Sequence, residues 1–225
     1  MVPVHTITLS FDNGPDPDIT RHVLDVLGRR GIKSTFFVVG EKLRDAERRR
    51  VCERAHDEGH WIGNHTFNHL LPLGLSRAKD VHLTEIARTQ ELLGDLAHPA
   101  KLFRPFGSGG GGGLDQTLLN RASFDYLVSQ SFTCVLWNVV PRDWENPHDW
   151  VKTALRQCLD EQWALVVLHD LPTGAMTHLE RFIEEIQERG ARFEQNFPPD
   201  CVPILRGTVV LPMDKYITED SPVRT

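Results

Sequence analysis

The chain has no excess of positive charge: 25 Lys and Arg stand against 31 Asp and Glu, a formal net charge of −6. A phosphate backbone needs a basic face, and no Lys/Arg cluster here is interleaved with aromatics, so no nucleic-acid partner is expected. The run Arg48-Arg49-Arg50 is hemmed in by Asp45, Glu47 and Glu53 and reads as a solvated helix face. No stretch reaches the ~18 consecutive apolar residues of a membrane span, and no charged N-terminal segment precedes an apolar run. No membrane partner is therefore expected. As written, the chain is expected in the cytoplasm; one from which a leader had been removed would be secreted. Cysteine is scarce too. Cys52, Cys134, Cys158 and Cys201 lie far apart without a C-x-x-C pair, which argues against a thiolate metal site or redox dithiol and leaves buried free thiols as the expectation.

What is present suits one large α/β domain, since 225 residues, 40 % of them hydrophobic, can build a sizeable core. The stretch from Thr6 alternates β-branched and apolar residues like a buried strand, and Asn13-Gly14-Pro15 stops it just after Asp12. Asp16 or Asp18 can cap a helix with Ile19, Val23, Leu24, Val26 and Leu27 on its apolar face, ended by Gly31. Lys33 to Val39 reads as a strand, residues 41–58 as a charged helix closed by Gly59, and His60 to Gly63 as another strand. This alternation is the pattern of parallel βα units, which place every strand's C-terminal end on one rim. The spacing further predicts an amphipathic helix over 76–96 burying Val81, Leu83, Ile86, Leu92 and Leu93, a strand at 101–103, and a helix over 114–122. Strands at 126–128 and 134–140, a helix over 147–161, a buried strand at 164–168, a helix over 176–189 and a weak strand within 192–205 complete the reading. Residues 1–206 are taken as the domain and 207–225 as an unassigned tail. Five glycines at 109–113 are not read as a linker, because the βα alternation resumes beyond them.

Five strand ends carry polar residues: Asp12 with Asn13, His65 with His69, Arg104, Asp143 with Trp144, and His169. Strands curled into a barrel would bring all five to one mouth. His65 and His69 fall on one face if the backbone turns helically there, and could then share a metal ion; the spacing by itself more often marks two surface or satisfied core histidines. Trp144 suits a core aromatic nearly as well as a sugar-stacking platform.

These ordered motifs resemble those of the polysaccharide deacetylases of carbohydrate esterase family four, with their NodB-homology domain. Ser10-Phe11-Asp12-Asn13-Gly14-Pro15 is similar to the family's T-F-D-D-G-P, and His65 to His69 matches H-[ST]-x-x-H. Arg104-Pro105-Phe106-Gly107 resembles R-x-P-[YF]-G, one residue shorter, while Asp143-Trp144 and Leu165 to Asp170 match D-W and L-x-x-L-H-D. The resemblance spans Thr6 to about Gly190.

The resemblance implies a single-domain deformed (β/α) barrel of seven or eight strands that removes N- or O-acetyl groups from carbohydrate with one divalent metal, usually zinc. On this reading Asp12 is the general base, kept ionised by Arg104, and His169 is the acid that protonates the leaving nitrogen, oriented by Asp143. Phe106 would offer its backbone N–H to the oxyanion, and Trp144 and Leu168 would line the acetyl pocket. Asn13, His65 and His69 would hold the metal. Asn13 stands where the family's pattern has a ligand Asp; an amide oxygen brings no charge, so a weakened metal site is expected. The glycine run beside Phe106 suggests a mobile, open groove edge. Two other readings stay open: a metal-independent amidase of cyclic ureides, as in the allantoinase-like branch, and a catalytically silent carbohydrate-binding relative. Retention of Asp12, Arg104, Asp143 and His169 counts against silence.

Overall fold

Both faces of strand β1, Thr6–Asp12, are in use, and the division follows from the pleat. Ile7, Leu9 and Phe11 are buried on the helix side, so Thr8, Ser10 and Asp12 point into the sheet's concave interior. The computed structural model describes residues 5–107 and 113–218, and of the glycine run expected at the groove edge only Gly113 lies among them. After β1 come α1 (Ile19–Arg30), β2 (Thr35–Val38), α2 (Ala46–Asp57), β3 (Trp61–Asn64), α3 (Arg88–Leu93), β4 (Leu102–Phe103) and β5 (Leu119–Asn120). The chain continues through α4 (Arg121–Ser129), β6 (Thr133–Cys134), α5 (Trp150–Asp160), β7 (Trp163–His169), α6 (Leu179–Glu188), β8 (Arg192–Phe193), β9 (Ile204–Leu205), β10 (Thr208–Val209) and β11 (Ile217–Thr218).

Strands β7, β1, β2, β3, β4 and β6 lie side by side, all parallel. Beyond β6 the chain returns to β7, where Val139 bridges Val166 in parallel. The Asn138 side chain adds two rungs, donating from Nδ2 to Trp163 O at 2.9 Å and accepting at Oδ1 from Leu165 N at 2.7 Å. The sheet is thus curled into the expected deformed (β/α) barrel. This seam is why the strand expected over 134–140 is regular only at Thr133–Cys134: beyond it the segment crosses from the β4 edge to the β7 edge and cannot pair in register with both.

Local chemistry sets the helix ends. Asp16, not Asp18, caps α1, its Oδ1 accepting the N–H groups of Asp18 and Ile19 at 3.1 and 3.0 Å. Gly31 closes that helix in the left-handed conformation at φ 64°. Asp45 caps α2 at the N–H groups of Glu47 and Arg48, which splits the expected 41–58 helix and leaves Gly40–Arg44 as a 3₁₀ turn. Between α1, α2, α5, α6 and the sheet sits the larger core, with Trp150 and Phe182 at ring-centroid distance 5.4 Å. All four cysteines are buried and free, and burial pushes each thiol up to about 12.

Several expectations need correction. The helix placed over 114–122 is absent: that stretch turns and then forms β5. Tyr126 to Val128 belongs to α4, capped by Asn120 Oδ1 on Ser123 N at 2.8 Å, because a short apolar run between turns suits either periodicity and here the cap decides. The 76–96 helix begins only near Val81, and its first turn is a π-helix, His82–Ala87. That wider turn brings Val81 and Ile86, five apart, onto the core and leaves Leu83 50 % exposed. The single strand sought within 192–205 is two strands, β8 beside β1 and β9 against β6. The unassigned tail is also structured as far as residue 218: β10 pairs with β9, β11 pairs with β5, and Met213 and Tyr216 are buried in a second core.

Candidate active site

Period two along β1 brings Ser10 and Asp12 to the same interior face, where Arg104, just past β4, reaches both. Its Nη1 donates to Ser10 Oγ at 2.7 Å and to Asp12 Oδ1 at 2.8 Å. Nε and Nη2 donate to the carbonyls of Val135 and Leu136, each at 3.3 Å, and the guanidinium lies 4.1 Å over the Phe37 ring. Arg104 is wholly buried; desolvation pulls its pKa down against the Asp12 charge and hydrogen bond that raise it. A buried cation of this kind is tolerable only because its donors are satisfied.

His169 ends the neighbouring strand β7 as the register partner of Asp12, and Asp143 takes both N–H groups of that one residue: its Oδ1 lies 2.8 Å from His169 Nδ1, and its Oδ2 accepts the His169 backbone N–H at 2.9 Å. A proton therefore sits on Nδ1, and Nε2, which carries the second proton in the imidazolium form, faces away from Asp143. Burial opposes a charge on His169, but the Asp143 hydrogen bond and charge, aided by Asp12 and Asp170, outweigh it and raise the pKa. Trp144 meets the His169 ring edge-on at 4.6 Å.

His65 and His69 come together without the helical turn expected of them. They sit on an irregular loop after β3 in which Thr66 and His69 have φ of 66° and 52°, and the rings meet at 4.8 Å between centroids. His65 Nδ1 donates to Arg104 O at 2.8 Å, which leaves Nε2 unprotonated, 3.6 Å from Asp12 Oδ2. His69 stacks on Phe106 at 3.8 Å. Burial pushes both imidazoles down to about 3, so both are neutral.

Asn13 lies beside them at φ 73°, a region Asn tolerates, and its buried Oδ1 has no hydrogen-bond partner. The turn it occupies is anchored from behind by Asp170. Burial pushes that carboxyl up to about 7, and it accepts from Thr20 Oγ1, which itself accepts the Asp16 N–H at 2.8 Å. Gly14 packs directly on Asp170, where any Cβ would fall onto the carboxylate.

Asp12, Asn13, His65, His69, Phe106, Trp144 and His169 line one cavity of about 220 Å³. Leu168 does not. It is fully buried on the helix side of β7, and Val167, which shares the His169 face, lines the cavity with Leu171, Trp137 and Val140. Period two from His169 would have pointed to Val167. Trp137 and Val140 carried no such signal, because they lie on the irregular seam.

Among the described residues no group of three or more His, Cys, Asp or Glu side chains is placed to hold a metal ion. The donor set here is of another composition: two neutral imidazoles, one with its tautomer fixed by a backbone carbonyl, beside an orphaned amide oxygen. Those atoms fit a divalent cation, since a buried polar atom without a partner is otherwise costly.

A profile of the family described as polysaccharide deacetylase matches residues 2–125. The peptidoglycan-N-acetylglucosamine deacetylase of Bacillus cereus is 31 % identical over 195 residues, 83 % of this chain but 65 % of that protein, so the chain spans just under two thirds of its relative's length. The crystal structure of a peptidoglycan N-acetylglucosamine deacetylase in complex with 4-naphthalen-1-yl-N-oxidanyl-benzamide matches with a TM-score of 0.69 at 27 % identity, covering 89 % of each chain. A family 4 acetyl xylan esterase from Clostridium thermocellum, in complex with a cobalt ion, matches at 0.66 and 25 % identity, covering 84 % of this chain and 87 % of that one. With the five motifs gathered at one mouth and more than half of the chain matched by the profile, the chain belongs to the polysaccharide deacetylase family.

Proposed function

We propose that this chain hydrolyses the N-acetyl group of an acetylated carbohydrate, releasing acetate and leaving a free amine on the sugar. The observation that carries the reading is the pair of hydrogen-bonded couples side by side at one cavity, Asp12 on Arg104 and His169 on Asp143. Arg104 occupies Asp12 Oδ1, so Oδ2 is the atom left to accept a proton from the attacking water. As that oxygen bonds to the acetyl carbon and the C–N bond breaks, His169 Nε2 delivers its proton to the departing nitrogen. Asp143 keeps the ring in the orientation and charge state this requires. The Phe106 N–H is the donor for the carbonyl oxygen, and Trp144, Val167 and Leu171 wall the methyl group. Family membership implies a divalent metal; we assign it to Asn13, His65 and His69, with zinc as the ion. Bound there it would polarise the carbonyl and make water more acidic. Asn13 contributes no charge, so the ion is held more loosely than by a carboxylate.

The names of the Bacillus cereus relative and of the esterase support an N-acetylated glycan first and an O-acetylated one second. The test is acetate release from chitooligosaccharide, peptidoglycan fragments and acetylated xylan beside turnover of a cyclic ureide, with metal content measured on the same protein. Zinc-stimulated acetate release from the N-acetylated glycans is expected. Metal-free turnover of the ureide alone, or glycan binding without turnover, would replace this reading by one of its two rivals.

A further inference from the structure

The loop that carries His65 and His69 makes almost no hydrogen bonds of its own. Its carbonyls at Thr66 and Phe67 accept from Gly40 N and Glu41 N, each at 2.9 Å. Its N–H at Thr66 is taken by Asn64 Oδ1 at 3.1 Å, and Asn64 Nδ2 donates in turn to Ile86 O at 2.9 Å. The next two N–H groups, of Phe67 and Asn68, both go to Glu85 Oε2 at 2.9 Å, and Asn68 Nδ2 goes to Glu85 Oε1 at 2.8 Å. One carboxylate thus receives three donors from two consecutive loop residues. Glu85 stands in the π-helical turn, whose Glu85 carbonyl is also taken by Thr89 Oγ1 at 2.9 Å, and Arg88 from the same helix lies 3.6 Å over the Phe67 ring. A π turn is a costly interruption that tends to persist where a site needs it.

We propose that Glu85 is the positioning residue of the imidazole pair: held on the π turn, its carboxylate fixes the 65–69 loop in the shape that aims His65 and His69 at a common ion. Glu85 acts through the loop backbone, since its three side-chain hydrogen bonds go to Phe67 and Asn68 and none to an imidazole. With its loss, two N–H groups seek other acceptors and the left-handed residues at 66 and 69 lose their restraint. The proposal rests on the assignment of a metal to this site.

The experiment measures Zn²⁺ affinity of the full chain by competition with a chromogenic chelator, with near-ultraviolet circular dichroism to establish folding. Glu85→Ala is expected to weaken Zn²⁺ binding by about tenfold or more, the usual range for groups that orient metal ligands. Glu85→Gln keeps one oxygen for the backbone N–H groups but loses the charge and the second acceptor. It is expected to fall between, about threefold or more below the parent, and carries the test alone if the alanine variant fails to fold. Glu91→Ala, exposed on the same helix, should bind as the parent does. Folded Glu85 variants with parental affinity would overturn the proposal while leaving the metal assignment intact. A parent protein that takes up no Zn²⁺ would remove that assignment and the proposal with it.

Discussion

On one side of the cavity Arg104 directs its donors to Ser10, Asp12, Val135 and Leu136, and Asp143 accepts both N–H groups of His169. On the other, Asn13 Oδ1 has no partner and His69 is located by its stack on Phe106. Asn13 and His69 are half-buried and His65 is buried, yet only the first side is electrostatically complete. Buried charges must be neutralised by the protein itself, whereas groups meant for an ion must keep lone pairs free until it arrives. The first side also rests on β1 and β7, which pair along their whole length, while the second rests on a loop and a turn. The half with Asp12 and His169 is accordingly preorganised, and the half with Asn13, His65 and His69, to which the proposed ion is assigned, depends on what supports it from behind.

Breaking the complete side should have the largest effect. Asp12→Asn and His169→Ala each remove one proton-transfer role and should lower kcat by ~10²- to 10⁴-fold, the usual contribution of such groups, with circular dichroism unchanged. Activity within about threefold of the parent, far inside that range, would take the residue out of the mechanism.

The open side should respond in the opposite sense. Asn13→Asp adds a full charge to a site with two neutral imidazoles and should tighten Zn²⁺ binding at least about tenfold, or ~1.4 kcal/mol. Calorimetric titration checks this, alongside intact-mass analysis, because an Asn preceding Gly is prone to deamidation. Equal affinity of mass-verified proteins would mean that position 13 is not a ligand. In the same titration His65→Ala or His69→Ala should lose stoichiometric metal and Thr66→Ala should keep it; metal retained by the double histidine variant would mark both rings as structural.

A smaller contrast separates the faces of β7. Leu168→Ala should cost ~2–5 kcal/mol in denaturant unfolding, as large-to-small changes in a filled core do, and leave KM almost unchanged. Val167→Ala should instead lower kcat/KM about tenfold by loosening the acetyl wall. The reverse pattern would place the pocket on the wrong side of the strand.

The smallest effect is a shift in pH dependence. His169 has its pKa raised from 6.5, so its acid form persists above the ordinary histidine range and the rate should fall as pH rises through the raised value. The stabilisation linked to that shift is complete below the unfolded-state value and is lost as pH climbs through the folded one. Asp143→Asn removes the charge and the charge-assisted character of the hydrogen bond that favour the imidazolium, so the basic limb of the pH–rate profile should move to lower pH. An unmoved limb would assign it to another group.

Asp12, Arg104, Asp143, His169 and both histidines were legible as residues at strand ends, because parallel βα units put those ends on one rim whatever the packing beneath. The α/β class was legible for the same reason, because the alternation of strand and helix survives errors of several residues at each boundary; the deformed barrel was implied by the resemblance of the ordered motifs, not by periodicity. The amino-acid sequence also determined that an amide, not a carboxylate, stands at position 13, the position proposed as a ligand. What surrounds those residues was decided in three dimensions. An uninterrupted apolar strand such as 164–168 shows no alternation of its own, and with Leu168 taken from the motif rather than by period two from His169, Leu168 and Val167 exchanged roles. A short apolar run such as 126–128 suits helix or strand equally, and the Asn120 cap settled it. The π turn left no mark in the periodicity, and the groups it meets are remote in sequence: Glu85 holds Asn68, and Ile86 O accepts from Asn64. Periodicity and composition act over a few residues along the chain, whereas the left-handed loop, the seam at Val139 and the clamp behind the histidines are each made by groups that only the closed barrel brings together.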